Sequence, residues 1–437
     1  MSLQEKIREA GVVGCGGAGF PAHVKASSRA EVVIGNGAEC EPLLHKDLEL
    51  IVHEPEEIAN GLKILMAGVG AKKGILGVKK KYEEKVGGIK AALGKSGTEL
   101  KLLGDYYPTG DEYVLVYETT GKLIPPQGIP LDVGIVVNNV ETLRNIHFAA
   151  EGIPVTTKCI SVGGAVRTPS TFRVPVGISF GDVIAATGGA TVSDYAVFVS
   201  GIMMGTLTAD MTLPITKNCA GLVVLPVSHR LVTRKTVPAA SMHRIGKSAC
   251  DQCSYCTEFC PRYLLGYDVQ PHKVMRSLGF TATGEAVWNQ WSQLCCSCGL
   301  CTLYACPEDL FPKEACDKGK ADLKAKGISW DGNREVKPHP MYDGRHVPLR
   351  QLIRKLGVAD YDHPAPFQSV SFEPKRVRIP LRQHAGVAAV PVVEAGRKVK
   401  QGDLVGEIPE GKLGARVHAS IDGVVASVGE EIVIERN

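Results

Sequence analysis

The sequence predicts an α/β domain followed by two small β modules and a cysteine-rich helical domain. Through about the first 150 of its 437 residues, short apolar strands alternate with helical periodicity, which favours a parallel sheet. Nine of the fourteen cysteines lie between Cys250 and Cys306. From Val377 onward, short β runs alternate with turns every 8–12 residues or so, a pattern typical of a small sandwich or barrel.

The elements of the first domain follow from the period of the apolar residues. The helix over 55–68 is marked by Ile58, Leu62 and Leu65, with Glu56 and Glu57 in its first turn. The predicted helices are 4–10, 55–68, 82–93, 111–119 and 141–150, and the predicted strands are 31–34, 74–78, 100–103 and 133–137.

After Pro154 the pattern changes to short strands with glycine-rich turns. Strands at 158–162, 172–174 and 196–199 around a helix at 181–187 predict a β-grasp-like module. Residues 226–247 are basic and are predicted to be irregular, helices are predicted between the cysteine runs, and 330–370 is predicted to be extended. The predicted boundaries are 1–153, 154–225 (β-grasp), 226–247 (connector), 248–325 (cysteine-rich domain), 326–375 (linker) and 376–437 (β module).

Composition excludes several classes of partner. The net charge of +4 requires neither nucleic acid nor an anionic membrane. No apolar stretch approaches the 18 or so residues of a membrane-spanning helix, and the N-terminus lacks the apolar segment of a signal peptide. The many unpaired thiols favour a reducing cytoplasm.

The cysteines form two consecutive ferredoxin runs. Three cysteines at two-residue gaps surround one corner of a cubane cluster, and a distant Cys-Pro supplies the fourth thiolate of the other cluster. The sequence therefore predicts two [4Fe–4S] clusters in a ferredoxin-like helical domain. One cluster is assigned to Cys250, Cys253, Cys256 and Cys306, and the other to Cys260, Cys295, Cys298 and Cys301.

Two alternatives to this ligand assignment stay open. Structural zinc also uses C-x2-C pairs, although each run here has three close cysteines and a Cys-Pro. The second run is less regular, because four residues separate Cys301 from Cys306 and Cys296 could replace Cys295. Cys159, Cys219 and Cys316 lie outside the runs and are interpreted as structural thiols.

Residues 14–19 match the G-x-G-x-x-G pattern. A dinucleotide-binding fingerprint would need a strand directly before the loop and a helix directly after it, and Pro21 follows here. A Rossmann site is therefore disfavoured. The glycines still allow backbone N–H groups to approach a phosphate closely, with Lys25 as a nearby counter-charge.

Four motifs in order support a resemblance over essentially the whole chain. GGAGFP at 16–21, NGAECEP at 36–42, YPTGDE at 107–112 and NNVET at 138–142 resemble the flavin-binding region of the NADH-oxidising subunit of respiratory complex I. The set is more similar to the RnfC component of the Rnf electron-transport complex. It is most similar to the cobalamin reductase family of propanediol-utilisation microcompartments, in which a barrel-sandwich module like residues 376–437 also lies at the C-terminus.

The resemblance implies an FMN site in a complex-I-flavoprotein-like domain, with NADH as electron donor. Gly16, Gly17, Gly19 and Lys25 would hold the phosphate. Asn36, Glu39 and Glu41 would line the isoalloxazine and ribityl face, and Asn138, Asn139 and Thr142 would close the far side. Phe20 would stack on a nicotinamide or adenine ring, and Glu112 would contact the ribose of NADH.

The function implied is an NADH-dependent oxidoreductase that passes electrons through FMN and two [4Fe–4S] clusters to an oxidised corrinoid. The expected location is the cytoplasm, at or within a bacterial microcompartment, with a shell or redox protein as a further partner. One alternative is an RnfC-like electron-transfer component that delivers electrons to ferredoxin, a shell-protein Fe–S centre or an ion-pumping complex. Another is a non-enzymatic adaptor. The hairpin at 418–423 lacks lysine, which disfavours a lipoylated carrier.

Overall fold

The N-terminal domain is built on a parallel sheet with helices on both faces. A computed structural model of the chain describes residues 1–280, 289–333 and 335–436. The sheet has the strand order β3-β2-β1-β5 and is parallel throughout. Its strands are β1 (Val32–Gly37), β2 (Lys73–Lys79), β3 (Glu99–Leu103) and β5 (Ile135–Asn139), and β4 (Tyr106–Tyr107) lies outside it.

Alternate residues of β1 explain why the sheet is covered twice. Val33 packs into the core formed with α4 and α7, whereas Ile34 packs with Leu115 and Val116 of α6 on the other face. A strand buried on both faces is apolar at every position, as in other parallel sheets. The helices are α1 (Leu3–Glu9), α2 (Ala22–Ala26), α3 (Lys46–His53), α4 (Pro55–Val69), α5 (Gly87–Ser96), α6 (Glu112–Thr120) and α7 (Val140–Ala150).

The second module has the β-grasp arrangement. A hairpin, a helix and two further strands form a sheet in which the first and last strands run parallel at the centre. The order is β12-β7-β6-β10-β8-β9. The elements are β6 (Thr157–Gly164), β7 (Ser170–Pro175), α8 (Phe180–Ala186), β8 (Tyr195–Val199), β9 (Thr206–Thr208), β10 (Gly221–Pro226) and β12 (Phe367–Gln368).

Three element predictions were wrong. The connector at 226–247 is not irregular: it contains α9 (Arg230–Lys235) and most of α10 (Ala239–Ala249), and Arg234 of α9 donates to the Asp309 and Leu310 carbonyls. The segment 330–370 is not wholly extended, because it holds α15 (Leu349–Leu356) and supplies β12. The helix predicted at 82–93 begins later, at Gly87, after a single turn at Lys80–Tyr82.

The cysteine-rich domain is helical between and after its two runs. The part of the predicted inter-run helices that falls on 281–288 lies outside the described residues. The elements here are α11 (Tyr255–Glu258), α12 (Pro261–Leu264), α13 (Pro271–Ser277) and α14 (Pro312–Ala325), followed by β11 (Val347–Pro348), which pairs with β4.

The C-terminal module consists of two small antiparallel sheets around a core that includes Val377, Val405 and Ile432. It packs on the β-grasp module, since Arg378 N–H donates to Gly177 O over 2.9 Å. Its strands are β13 (Arg376–Pro380), β14 (Val390–Pro391), β15 (Lys398–Val399), β16 (Leu404–Glu407), β17 (Val417–His418), β18 (Gly423–Val428) and β19 (Glu431–Glu435).

Among the helices that the structure describes, none combines the length and the apolar character needed to cross a membrane.

Candidate functional site

A cleft of about 830 Å³ opens at the carboxyl ends of β1 and β5, where parallel sheets commonly bind ligands. The N-terminal domain forms one wall, and the β-grasp module and the cysteine-rich domain contribute the rest. All the residues predicted for the flavin and NADH site line this cleft: Gly16, Gly17, Gly19, Phe20, Lys25, Asn36, Glu39, Glu41, Glu112, Asn138, Asn139 and Thr142.

The glycine loop forms the floor of the cleft. Gly14 N–H donates to Phe20 O over 2.9 Å, and Cys15 N–H donates to the Thr142 hydroxyl over 3.0 Å, so both ends of the loop are fixed. A Cβ added at Gly17 would meet no protein atom within 4 Å. The backbone at Gly17 therefore faces open space, as contact with a phosphate requires. The lead-in to the loop is an isolated bridge rather than a strand, which agrees with the rejection of a Rossmann site.

The C-terminal module supports the glycine loop from behind. Gly19 has φ of +69°, and a Cβ there would lie 3.0 Å from Gln383 O. Ala385 N–H donates to Gly19 O over 3.1 Å. The buried Lys217 connects the same elements, because its ammonium donates to Gly11 O and Arg416 O over 2.8 Å each. Burial lowers the pKa of Lys217 to about 7.

The three asparagines of the cleft differ in how they are bonded. Asn36 donates to Gly110 O over 2.9 Å, and Asn139 donates to Asp47 Oδ2 over 2.7 Å. Asn138 is buried, and its Nδ2 has no hydrogen-bond partner within the described residues. A buried amide without a partner is costly unless a ligand supplies an acceptor. The carbonyl and nitrogen acceptors of a flavin ring fit this requirement.

The two acids after β1 are held in the protonation balance of a buried site. Glu39 accepts from Asp47 N–H over 3.0 Å, and burial, with Asp47 beside it, raises its pKa to about 8. Glu41 accepts from Met203 and Met204 N–H over 2.9 Å each, and burial raises its pKa to about 7. Glu41 thus fastens the β-grasp module to the cleft wall.

At the cleft rim, Lys25 lies beside the residues predicted to contact NADH. Its ammonium donates to Val137 O over 2.7 Å and lies 3.6 Å from Glu112 Oε1. The Phe20 ring is 37% exposed, so one face of an aromatic side chain is accessible at the rim. The rim thereby presents a cation, a carboxylate and an aromatic ring together.

Sequence reasoning missed a buried charge network beneath the cleft. Lys46 bonds to Asp47 and lies 3.3 Å from Glu141 Oε2, and Glu141 also binds Lys158 and accepts from Cys159 N–H over 2.8 Å. Glu141 belongs to the NNVET motif, and Lys46 and Asp47 follow NGAECEP closely. Those neighbouring motifs were the available signal.

The first cysteine set converges in space although it spans both runs. Cys250, Cys253, Cys256 and Cys306 line one small surface cavity. Burial raises the pKa of Cys256 to about 12, and the neighbouring Cys250, Cys306 and Cys253 thiols contribute to the increase. Four facing thiols fit the donor chemistry of a cubane cluster.

A π-helical turn explains the irregular spacing of the second run. The extra residue between Cys301 and Cys306 is absorbed in a π-turn over Cys301–Ala305, whereas the matching part of the first run is the short helix α11. One-residue insertions in helices form such bulges, often at functional sites. Cys306 consequently still reaches the Cys250 set.

The second set contains more thiols than a cluster needs. Burial raises the pKa of Cys301 well above its usual range, with Cys295, Cys256 and Cys260 adding to the effect. Cys296 hydrogen-bonds with Cys298, and Cys295 hydrogen-bonds with Cys316. Cys316 is therefore part of this thiol group, and Cys295 and Cys296 both remain candidates for the ligand. Among the described residues, no group of three or more His, Cys, Asp or Glu side chains is arranged to hold a single metal ion.

Comparison with known families agrees with these sites. The family model of the Nuo51 FMN-binding domain matches residues 7–148, that of the 4Fe-4S dicluster domain matches 249–311, and that of the RnfC barrel sandwich hybrid domain matches 365–437. The chain is thus an NADH-linked flavo-iron–sulfur oxidoreductase with FMN and [4Fe–4S] clusters as cofactors, which confirms the predicted fold class and cofactors.

The chain is 38% identical over 433 residues to the cobalamin reductase PduS of Citrobacter freundii, covering 99% of this chain and 96% of that protein. It is 38% identical to the cobalamin reductase PduS of Salmonella typhimurium, covering 99% and 95%. The chain belongs to the PduS cobalamin reductase family, as the resemblance predicted.

More distant relatives cover part of the chain. The RnfC-type component of the proton-translocating ferredoxin:NAD(+) oxidoreductase complex of Clostridium ljungdahlii is 34% identical over 59% of this chain and 55% of that protein. An NAD+-reducing [NiFe]-hydrogenase structure aligns with a TM-score of 0.48 and 22% identity, covering 85% of this chain and 63% of that one, a similarity too low to support an inference.

Proposed function

We propose that this protein reduces an oxidised corrinoid with electrons from NADH, at or within a bacterial microcompartment in the cytoplasm. The observation that carries the proposal is the near-full-length similarity to proteins named cobalamin reductase PduS. A shell or redox protein of the microcompartment is a further partner in this proposal.

FMN, when bound, converts the two-electron chemistry of a hydride donor into one-electron transfers. The backbone at Gly16, Gly17 and Gly19 binds its phosphate, and Lys25 at the rim neutralises part of the charge. Asn138 Nδ2 donates to the ring, and Thr142 holds the loop through Cys15 N–H. Asn36 and Asn139 shape the wall through their own hydrogen bonds.

Two residues at the rim orient NADH in this proposal. The exposed face of Phe20 stacks on a planar ring, and Glu112 accepts from ribose hydroxyls. Glu39, whose pKa lies at about 8, holds a proton at neutral pH and so adds no negative charge beside an anionic ligand. Glu41 acts indirectly, by keeping the β-grasp wall in place.

A second candidate function is an RnfC-like component that delivers electrons to a ferredoxin, a shell-protein Fe–S centre or an ion-pumping complex. It is favoured by the similarity to the RnfC-type components of ferredoxin:NAD(+) oxidoreductase complexes. The two candidates differ only in the acceptor.

Corrinoid reduction is the direct test of the proposed acceptor. Under anaerobic conditions NADH is expected to bleach the bound flavin, and added cob(III)alamin or cob(II)alamin should then be reduced, followed by absorbance. A Cys253→Ser/Cys298→Ser double variant should keep flavin bleaching and lose most corrinoid reduction. Corrinoid reduction at the wild-type rate in that variant would show that the clusters are not on the path. Ready reduction of ferredoxin but not of corrinoid by the wild type would support the second candidate.

Metal analysis tests the two-cluster assignment. Anaerobically purified protein is expected to contain about eight iron and about eight sulfide per chain, since each thiol set holds one cubane. Colorimetric iron and sulfide assays with protein quantification are sufficient. About four iron, or stoichiometric zinc, would contradict the assignment.

Lys25→Ala is expected to weaken FMN binding without affecting the clusters. The loss of a hydrogen bond to a charged group costs roughly 1.5–3 kcal/mol, so the dissociation constant should rise about 10- to 150-fold. Titration of FMN into flavin-free protein measures this directly. Lys63→Ala, at an exposed position of α4, is the matched control and should bind FMN as the wild type does.

A further inference from the structure

The two thiol sets lie at different distances from the cleft. Cys298 lines the cleft itself, together with Tyr107. No member of the Cys250 set is found in the cleft lining among the described residues. The set of Cys260, Cys295, Cys298 and Cys301, termed the proximal set, is therefore in contact with the proposed flavin site.

Tyr107 connects the cleft to this set. Its hydroxyl donates to the Cys298 carbonyl over 2.6 Å, and burial raises the pKa of Tyr107 well above its usual range, so the hydroxyl remains a donor. Cys298 packs with Tyr107, Leu44 and Met203 in one buried apolar cluster. This packing excludes water from the short path between cleft and thiols.

The other set, Cys250, Cys253, Cys256 and Cys306, is termed the distal set. Cys253 is exposed, and the cavity that the four thiols share lies at the surface. Cys256 of the distal set faces Cys301 of the proximal set closely enough to influence it electrostatically. The described residues thus form a continuous series from the cleft through Cys298 and Cys301 to Cys256 and Cys253.

We infer that electrons leave the flavin cleft through the proximal set, pass to the distal set, and exit at the surface around Cys253. This inference rests on the proposed function. Oxidation of NADH to NAD+ releases two electrons and one proton. Each electron passes singly to one of two one-electron acceptors such as a corrinoid cobalt, and the proton goes to solvent. Tyr107 is a positioning residue on this path.

Single-ligand variants test the order with electron paramagnetic resonance as the readout. In Cys298→Ala, NADH should bleach the flavin while the remaining cluster stays oxidised, although dithionite reduces it. In Cys253→Ala, NADH should reduce the remaining cluster at close to the wild-type rate. Cys159→Ala, at a buried thiol outside both sets, should retain both signals. The reverse pattern, or equal reduction of the remaining cluster in both variants, would overturn the inference.

A conservative variant covers the case in which either alanine variant loses both clusters. Tyr107→Phe keeps all the thiols and removes the 2.6 Å hydrogen bond to Cys298. It should slow cluster reduction by NADH at least several-fold, leave flavin bleaching unchanged, and shift only the resonance of the proximal cluster. A shift confined to the distal resonance, or no change in rate, would contradict the order.

The proposed function and the order of the clusters can fail separately. If NADH does not bleach the wild-type flavin, the proposed function is wrong. Photochemical reduction of the flavin, which needs no NADH, then tests the order in the same variants. If the wild type reduces both clusters but not corrinoid, the order stands and the proposed acceptor is wrong.

Discussion

Gly17→Val is expected to abolish most FMN binding while leaving both clusters and the fold intact. A Cβ at Gly17 meets no protein atom within 4 Å, so the protein itself can accommodate the side chain. The branched side chain would instead occupy the space that the phosphate needs. The loss of even one backbone bond to the phosphate costs roughly 1.5–3 kcal/mol, so the dissociation constant should rise by a factor of about ten or more. Released-flavin fluorescence and FMN titration measure the effect.

The control for this variant is another glycine whose Cβ would meet open space. Gly94→Val, on the exposed face of α5, adds the same side chain away from the cleft and should leave flavin content unchanged. Gly19 is unsuitable as a probe, because its positive φ and the nearby Gln383 carbonyl would strain the protein itself. Unchanged FMN occupancy in Gly17→Val would place the phosphate elsewhere.

Glu141→Ala is expected to destabilise the N-terminal domain by about 3–5 kcal/mol. The substitution removes the carboxylate shared by two buried ammonium groups, Lys46 and Lys158, and breaking a buried ion pair on one side costs about this much. Urea unfolding of flavin-free protein, followed by circular dichroism, measures the change. Glu151→Ala, at an exposed acid beyond the end of the same helix, should change stability by less than about 0.5 kcal/mol.

The effect of Glu141→Ala should depend on pH in a defined direction. Burial raises the pKa of Glu141, but Lys158 and Lys46 outweigh it, so the pKa lies below its ordinary value of 4.5. Such a group stabilises the fold above the pKa of the unfolded chain, and the contribution disappears as the pH falls through the lower folded pKa. The difference between wild type and variant should therefore be full at neutral pH and shrink in acid. An equal difference on both sides of that acid transition would contradict the ion-pair explanation.

Features that depend on local spacing were predictable from the sequence. The interval between cysteines decides which thiols can surround one corner of a cluster, and the period of apolar residues decides which strands and helices form in the first 150 residues or so. The glycines of residues 14–19 indicated a phosphate loop for the same local reason. The predicted domain boundaries and the role of each cleft residue remain predictions.

Some elements were missed because distant contacts stabilise them. The helix α9 has few apolar residues, and Arg234 holds it to carbonyls some 75 residues further along the chain. The strand β12 has two residues, too short for any periodicity, and exists because Phe367 and Gln368 pair with Thr171 and Phe172 of β7. Propensity and pattern describe neighbours in the chain, whereas these elements form against partners that only folding brings near.

The division of roles within the cleft has the same physical origin. Residue types and motifs identified Asn36, Asn138 and Asn139 equally, but which amide stays free depends on whether Gly110 or Asp47 lies opposite it. Likewise, Glu41 is occupied by backbone of the β-grasp module about 160 residues away, and the C-terminal module supports the glycine loop through Ala385. Spacing in the sequence selects the chemistry of the cofactors, while hydrogen bonds between distant segments decide which atoms remain available to hold them.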